Sequence, residues 1–280
     1  MTAETRPAGQ RTGSIHVLLV LAALIVLVPV AWVAVAGFKT QISLLMGEIL
    51  FTPNLRNFEE VLFSRTSDYL RNFRNSLLIA TSSTLLCLVV ATLAAYSMQR
   101  MLWRRKWIIH TVLLWALLFH MIPPIALAGA WFAMFRTVGL DNTFSAIILA
   151  HATINLPMAL WLIGVFVAEV PKELEEAARI DGASTPLVLR SVIVPLIMPG
   201  LMATAVLVFV FSWNEFPVAL ALSMRETATV PVAIAKYAQE YEIKYTEMAA
   251  SATLSIIPAL ILLLVGQRYI VKGITAGAVK

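Results

Sequence analysis

The sequence predicts an all-α, polytopic membrane protein with six transmembrane helices. Three observations carry that prediction. Of 280 residues, 60% are hydrophobic and only 13% are charged, whereas a soluble domain carries roughly a quarter charged residues. The apolar residues are gathered into long blocks of the length that a bilayer requires. Between the second and third blocks, Arg100, Arg104, Arg105 and Lys106 crowd a short connection with no acid, the clearest positive-inside signal in the chain. In this setting a net charge of +5 points to lipid headgroups and basic inner loops rather than to nucleic acid. The single cysteine, Cys87, lies inside an apolar block, so no internal disulfide can form. No Cys/His set has metal-ligand spacing, and no convergent catalytic set is evident. Neither a metal site nor an enzyme is expected.

The elements follow in order. Residues 1–14 are a polar lead carrying Arg6 and Arg11. Ile15 to Phe38 is the first span. Ala34-Val35-Ala36 imitates a cleavage site, but the block is longer than a signal h-region and five more follow, so it is expected to be an uncleaved anchor with its N-terminus inside. Residues 39–72 are mixed and polar, and Phe73 to Met98 is the second span. Trp107 to Phe135 is the third, interrupted by Pro123-Pro124, which frees carbonyls and breaks or flexes the helix. After a short turn with Gly139 and Asp141-Asn142, Thr143 to Val167 is the fourth span, with Asn155 and Pro157 at mid-membrane. Met198 to Leu222 is the fifth, Ser223 to Thr246 an external loop, and Met248 to Val265 the sixth. The organisation is a lead at 1–14, a six-helix membrane region at 15–269 and a tail at 270–280, with both termini cytoplasmic.

The most informative stretch is the polar segment 169–200, EVPKELEEAARIDGASTPLVLRSVIVPLIMPG. Pro171 suits the first turn of a helix, Lys172 to Ile180 are good helix formers, and the acids gather near the N-terminus, where the dipole favours them. Asp181-Gly182 ends the helix because glycine accepts a left-handed conformation cheaply. Thr185 as N-cap and Pro186 as first residue open a second helix, and Pro195 and Pro199 lead into the fifth span. The expected element is a helix-turn-helix lying against the membrane. Leu174, Ala177, Ala178 and Ile180 could pack down while the acids and Arg179 face a soluble partner. On the residues alone, the segment also suits an ordinary amphipathic connector.

Glu176-Ala177-Ala178, Gly182 and Pro195 stand at the spacing of the EAA loop, and the segment resembles the cytoplasmic coupling helix of ATP-binding-cassette importer permeases. Val192 and Val194 replace the Ile and Leu of that pattern and keep its apolar character. The longer run EEAARIDGAS resembles the carbohydrate-uptake, maltose-type branch of the family. The resemblance implies that Glu176, Ala177, Ala178, Asp181, Gly182 and Pro195 form the contact to an ATPase. The tail from Gln267 to Lys280 is similar to the tail that reaches the interface of two ATPase subunits in this branch. That similarity implies contacts by Gln267, Arg268, Gly273, Thr275 and Gly277; on composition alone, its basic residues could hold it at headgroups. Ser212-Trp213-Asn214-Glu215-Phe216 resembles a stretch common in carbohydrate permeases. Aromatic, amide and carboxylate groups together suit a sugar path, since rings stack on apolar sugar faces and polar groups bond hydroxyls. Trp213, Asn214, Glu215 and Asn155 are therefore candidates for the translocation path. A structural role also fits them, with Trp213 in an aromatic belt and Asn155, more readily than on the path, bonding between helices. His110, His120 and His151 fit hydrogen-bonded helix contacts. By the same resemblance the external loop 223–246 reaches toward a binding protein; on its residues alone it could rest on the membrane as a solvated helix.

By resemblance, the chain is a permease subunit of an ATP-driven carbohydrate importer in a bacterial inner (plasma) membrane. The implied partners are a second homologous permease subunit, an ATP-binding subunit dimer, an extracytoplasmic solute-binding protein, the carbohydrate and membrane lipid. No Gly-x4-Gly-Lys-Ser/Thr loop is present, so no cofactor is expected on this chain, and ATP and magnesium would sit on the partner ATPase. The alternatives are an ion-coupled secondary transporter, for which Glu215 is the fair candidate, and a non-transporting scaffold.

Overall fold

The computed structural model describes residues 8–238 and 243–276, with side chains described from residue 15 to residue 267 outside the same gap. Every regular element among the described residues is a helix. Two compact units are present. One comprises the chain up to Ser67 with Ile234–Ile256, and the other Asp68–Ala233 with the chain from Ile257 onward.

The first unit begins with α1 (Ala8–Ala36), whose apolar part is Ile15–Ala36. Side chains 15–33 are all exposed in this unit, and a helix apolar all round with no protein cover belongs in lipid. It is followed by α2 (Gln41–Leu45), capped by the Thr40 hydroxyl, which accepts from Ser43 N–H, and by α3 (Arg56–Phe63). The buried Asn57 amide donates to the carbonyls of Gly37 and Lys39, both at 2.7 Å, and closes the turn after α1. Buried Lys39 lies 5.3 Å from the Trp32 ring and 4.8 Å from that of Phe51.

In the second unit, α4 (Tyr69–Arg100) packs against α7 (Phe144–Glu169) and α11 (Met198–Trp213). Small residues make the approach close: Ala80, Ala91, Ala95, Ala146, Ala150 and Ala159 are buried to 1% exposure or less. Without a hydrophobic force between helices in lipid, such near contact supplies the packing energy. At Gly200 the fit is closest. A Cβ there would stand 2.2 Å from the Phe166 ring.

The third predicted span is two helices, α5 (Trp107–His120) and α6 (Pro124–Thr137), meeting at 101°. The proline pair does more than flex one rod. Pro123 cannot continue α5, and Pro124 starts a new helix at a position where a missing N–H costs nothing. The fourth span emerges as expected: Thr143 caps α7 through Ala146 N–H at 3.3 Å, and Pro157 sits within the helix. Among the described residues, four helices are individually long and apolar enough to cross a membrane, and the count reaches six if each bent pair is one span.

The expected fifth span, Met198 to Leu222, divides at Asn214–Phe216 into α11 and a short α12 (Pro217–Leu222). Before it stand α8 (Lys172–Ile180), α9 (Thr185–Val188), one π turn at Leu189–Ile193, and α10 (Val194–Leu196). Ser184 rather than Thr185 is the residue before α9. The π turn has a cause. Pro195 lacks the N–H that would bond the Ser191 carbonyl, and the backbone widens so that Val194 N–H reaches the Leu189 carbonyl instead. Thr185–Leu196 and Met198–Trp213 then meet at 78°.

The loop 223–246 is partly folded. Thr227, Ala228 and Thr229 are buried, and α13 (Val230–Ala235) follows. Asn75 donates to the carbonyls of Glu226 and Ala228, and the Ser76 hydroxyl accepts from Val230 N–H at 2.8 Å. The last helix, α14 (Tyr245–Ala276), extends well past the expected end at Val265, and Gly273 does not interrupt it.

Candidate functional site

Two groups of candidate side chains lie in the second unit. The first surrounds α8. Its start and stop are local: Pro171 precedes it, Glu173 and Glu175 occupy its first turn, and Gly182 ends it at φ +85°. Gly182 N–H donates to the Arg179 carbonyl and Ala183 N–H to that of Ala178, both at 3.0 Å.

The face that α8 buries differs from the expected one. Leu174 is 45% exposed and Ile180 86% exposed, while Glu175 is buried. Glu176, Ala177, Arg179 and Asp181 are exposed, Ala178 is half-buried, and Gly182 has open space around it. Of the four residues expected to pack down, Ala178 rests against the core, while Leu174, Ala177 and Ile180 do not, because the inner face is claimed by an ion pair. Arg100 Nε, at the last residue of α4, lies 2.6 Å from Glu175 Oε1, and each side chain is 7% exposed. The contact is ionic rather than an aligned hydrogen bond. Tyr96 Oη donates to Glu175 Oε2 at 3.1 Å, and Arg179 reaches the same phenol at 3.4 Å. The Arg100 guanidinium also donates to the carbonyl of Val167, at 2.8 Å, and to that of Val170. These are the C-terminal carbonyls of α7, where a cation is favoured. Pro195 is exposed on the neighbouring α10 and belongs to the same corner of the unit through the π turn.

The second group lies where α11 stops. Glu215 caps α12: its Oε1 accepts from Val218 N–H at 2.9 Å and its Oε2 from Ala219 N–H at 2.8 Å. His151 Nε2 of α7 lies 3.2 Å from Glu215 Oε2. The imidazole Nδ1 meets the Ser212 hydroxyl at 2.8 Å, and Ser212 meets Ser83 of α4 at 2.9 Å. Asn155 donates to the His151 carbonyl at 2.8 Å. A line of polar groups thus joins α4, α7 and the α11–α12 break inside an otherwise apolar bundle.

A cavity of about 340 Å³ opens beside this line. Asn155, Asn214 and Glu215 line it with Phe119, Phe211 and Phe216. Three of the four path candidates therefore meet at one cavity. Trp213 does not line it. Its ring is buried, stacked on Phe209 at 5.8 Å and edge-on to Phe73 at 5.5 Å.

The tail residues are less fully described. Gln267 is exposed and donates to the Leu264 carbonyl. Arg268, Gly273 and Thr275 lie on the helical backbone of α14 with side chains undescribed, and Gly277 lies outside the described residues.

Sequence reasoning missed several of these groups. Arg100 counted only as one cation of a basic loop, Glu175 only as one acid among five, and Tyr96 not at all. For His151 a signal existed: an ionisable side chain in a membrane helix requires a partner, and the acid of the fifth span was available.

Residues 88–276 match the family described as the binding-protein-dependent transport system inner membrane component. The chain is similar to the trehalose/maltose transport system permease protein MalG of Thermococcus litoralis, with 35% identity over 93% of this chain and 94% of that one. The trehalose transport system permease protein SugB of Mycobacterium tuberculosis is also 35% identical, over 91% of this chain and 92% of its own length. Among solved structures, a bacterial ABC transporter involved in the import of the acidic polysaccharide alginate superposes with TM-score 0.77 and 21% identity. That match covers 95% of this chain and 99% of the other. The MetNI methionine ABC transporter gives TM-score 0.59 and 19% identity, over 73% and 94%. These structures share the fold. The chain belongs to the family of inner-membrane components of binding-protein-dependent transport systems.

Proposed function

We propose that this chain is one of two homologous permease subunits of an ATP-driven importer for a carbohydrate, whether a sugar, an oligosaccharide or a polyol. The relatives named for trehalose and maltose support the substrate class. The observation that carries the coupling role is the open face of α8. Leu174, Ala177 and Ile180 are exposed beside the glycine that ends the helix, and an apolar, small-residue face left uncovered on a short helix fits insertion into another protein.

On this reading Glu176, Ala177, Ala178, Asp181 and Gly182 seat in a dimer of ATP-binding subunits, which hold ATP and magnesium, and Pro195 shapes the turn behind them. Arg104, Arg105 and Lys106 follow the end of α4 that carries α8, so the positive-inside rule puts this end in the cytoplasm. Both termini share that side, and the tail, Gln267, Arg268, Gly273, Thr275 and Gly277 included, adds a second contact to the ATPase. A solute-binding protein delivers the carbohydrate on the opposite side.

The cavity lined by Asn155, Asn214 and Glu215 is the stretch of path contributed by this subunit. Amides and a carboxylate beside phenylalanine rings suit hydroxyls and apolar sugar faces. An ion-coupled mechanism through Glu215 is disfavoured, because two backbone N–H groups and His151 already engage its carboxylate. The test is co-expression with the neighbouring permease and ATPase, reconstitution in liposomes, and measurement of radiolabelled trehalose and maltose uptake with binding protein and ATP. Uptake that follows an ion gradient and ignores ATP would overturn the proposal.

A further inference from the structure

We infer that Arg100 is a positioning residue for coupling: it locks the docking helix to the ends of two membrane helices, so that a push on α8 moves α4 and α7 as one body. The inference rests on the importer reading above. One guanidinium reaches three elements. It belongs to the last residue of α4, it donates to the terminal carbonyls of α7 at Val167 and Val170, and it holds the carboxylate of Glu175 on α8.

The need for such a lock is mechanical. α7 and α8 are joined only through Val170 and Pro171. The corner alone would act as a hinge and absorb motion rather than transmit it. Arg100 spans that corner, and Tyr96 closes it from a turn earlier on α4 by donating to the second oxygen of the same carboxylate. Both charges are nearly shielded from water, so their attraction is little screened. The outer face of α8, with Ala177 and Ile180, takes no part in the lock and stays open to a motor protein. Two different acids of one helix therefore have different tasks: Glu175 holds the helix to its own chain, and Glu176 faces outward. A lysine at position 100 could satisfy the carboxylate or the carbonyls but lacks the planar fork that serves both.

The experiment uses the assembled transporter with Arg100→Ala, Arg100→Lys, Glu175→Gln and the Arg100→Ala/Glu175→Gln double variant. The expected result is at least a tenfold fall in trehalose taken up per ATP hydrolysed for Arg100→Ala. Glu175→Gln should lose several-fold, Arg100→Lys should fall between wild type and alanine, and the double variant should be no worse than Arg100→Ala. The ATPase should still co-purify in the normal ratio. An unchanged transport-to-ATP ratio, or losses that multiply in the double variant, would overturn the inference.

A second readout does not depend on transport. In the purified full chain, Arg100→Ala should raise amide hydrogen exchange across residues 172–180 at least tenfold and leave the middle of α4 unchanged. Unchanged exchange in α8 sinks the lock. If the wild-type complex takes up no carbohydrate while α8 loosens as stated, the importer reading fails and the lock stands.

Discussion

Replacing Glu215 by glutamine should destabilise the protein although the two side chains have nearly the same shape. The Glu215 side chain is 7% exposed. It accepts two N–H groups at the start of α12, at 2.9 and 2.8 Å, and faces His151 Nε2 at 3.2 Å. Glutamine keeps one carbonyl oxygen for one of the N–H groups. Its amide nitrogen must then face either Val218 N–H, or Ala219 N–H together with the imidazole. One charge-assisted bond to a backbone N–H contributes about 1.5–3 kcal/mol, and a buried N–H left without an acceptor costs about 1–3 kcal/mol. Because the two figures overlap, the expected loss is about 3 kcal/mol, and Glu215→Ala, which orphans both N–H groups, should lose more. For a chain of this size about 2–4 °C accompanies each kcal/mol, so the melting temperature in detergent should fall by roughly 6–12 °C. Tryptophan fluorescence is a suitable probe, since Trp213 is packed two residues away against Phe209 and Phe73. A double-variant cycle with His151→Gln isolates the pair. A melting temperature within about 1 °C of wild type, or losses that simply add, would refute the reasoning.

Gly182→Val meets open space, so its cost is the left-handed backbone alone, about 1–2 kcal/mol; the chain should fold and bind lipid normally while binding-protein-stimulated uptake collapses, and normal uptake would contradict the docking role. Gly200→Ala brings a methyl group to 2.2 Å from the Phe166 ring, which should cost about 1–3 kcal/mol by overpacking; Phe166→Leu in the same chain should recover most of the lost thermal stability. Tyr237 gives an alkaline signature. Burial pushes its phenol above the ordinary value of 10.0, with Ser251 and Ser67 hydroxyls acting in the opposite direction. Stability from this group is complete below pH 10.0 and falls as pH rises through the folded value; in Tyr237→Phe that part of the alkaline loss should be absent from a melting-temperature profile.

The helices and their ends were legible in the sequence where the deciding physics is local. The length of an apolar block sets a span, and a residue's own backbone preference sets a cap. Thr143 starts α7, Gly182 ends α8 at φ +85°, and Pro124 opens α6, each for a reason visible within a few residues. The candidates Asn155, Asn214 and Glu215 were legible as well, because polar groups in apolar blocks stand out against the cost of burying them, and the fold brings them to one cavity.

What only the tertiary structure decided are the pairings between distant residues and the angles between helices. The Tyr96–Glu175 bond spans 79 residues and the His151–Ser212 bond 61. No pattern in the neighbourhood of either partner encodes the other. The inner face of α8 was misjudged for the same reason. Hydrophobicity favours burying Leu174 and Ile180, but the end of α4 supplies a cation in a dry corner, and an unpaired Arg100 there would cost more than two exposed apolar side chains. The right-angle meeting of α5 with α6 likewise needed the whole bundle. Two prolines set where a helix breaks, and the packing around the break sets its direction.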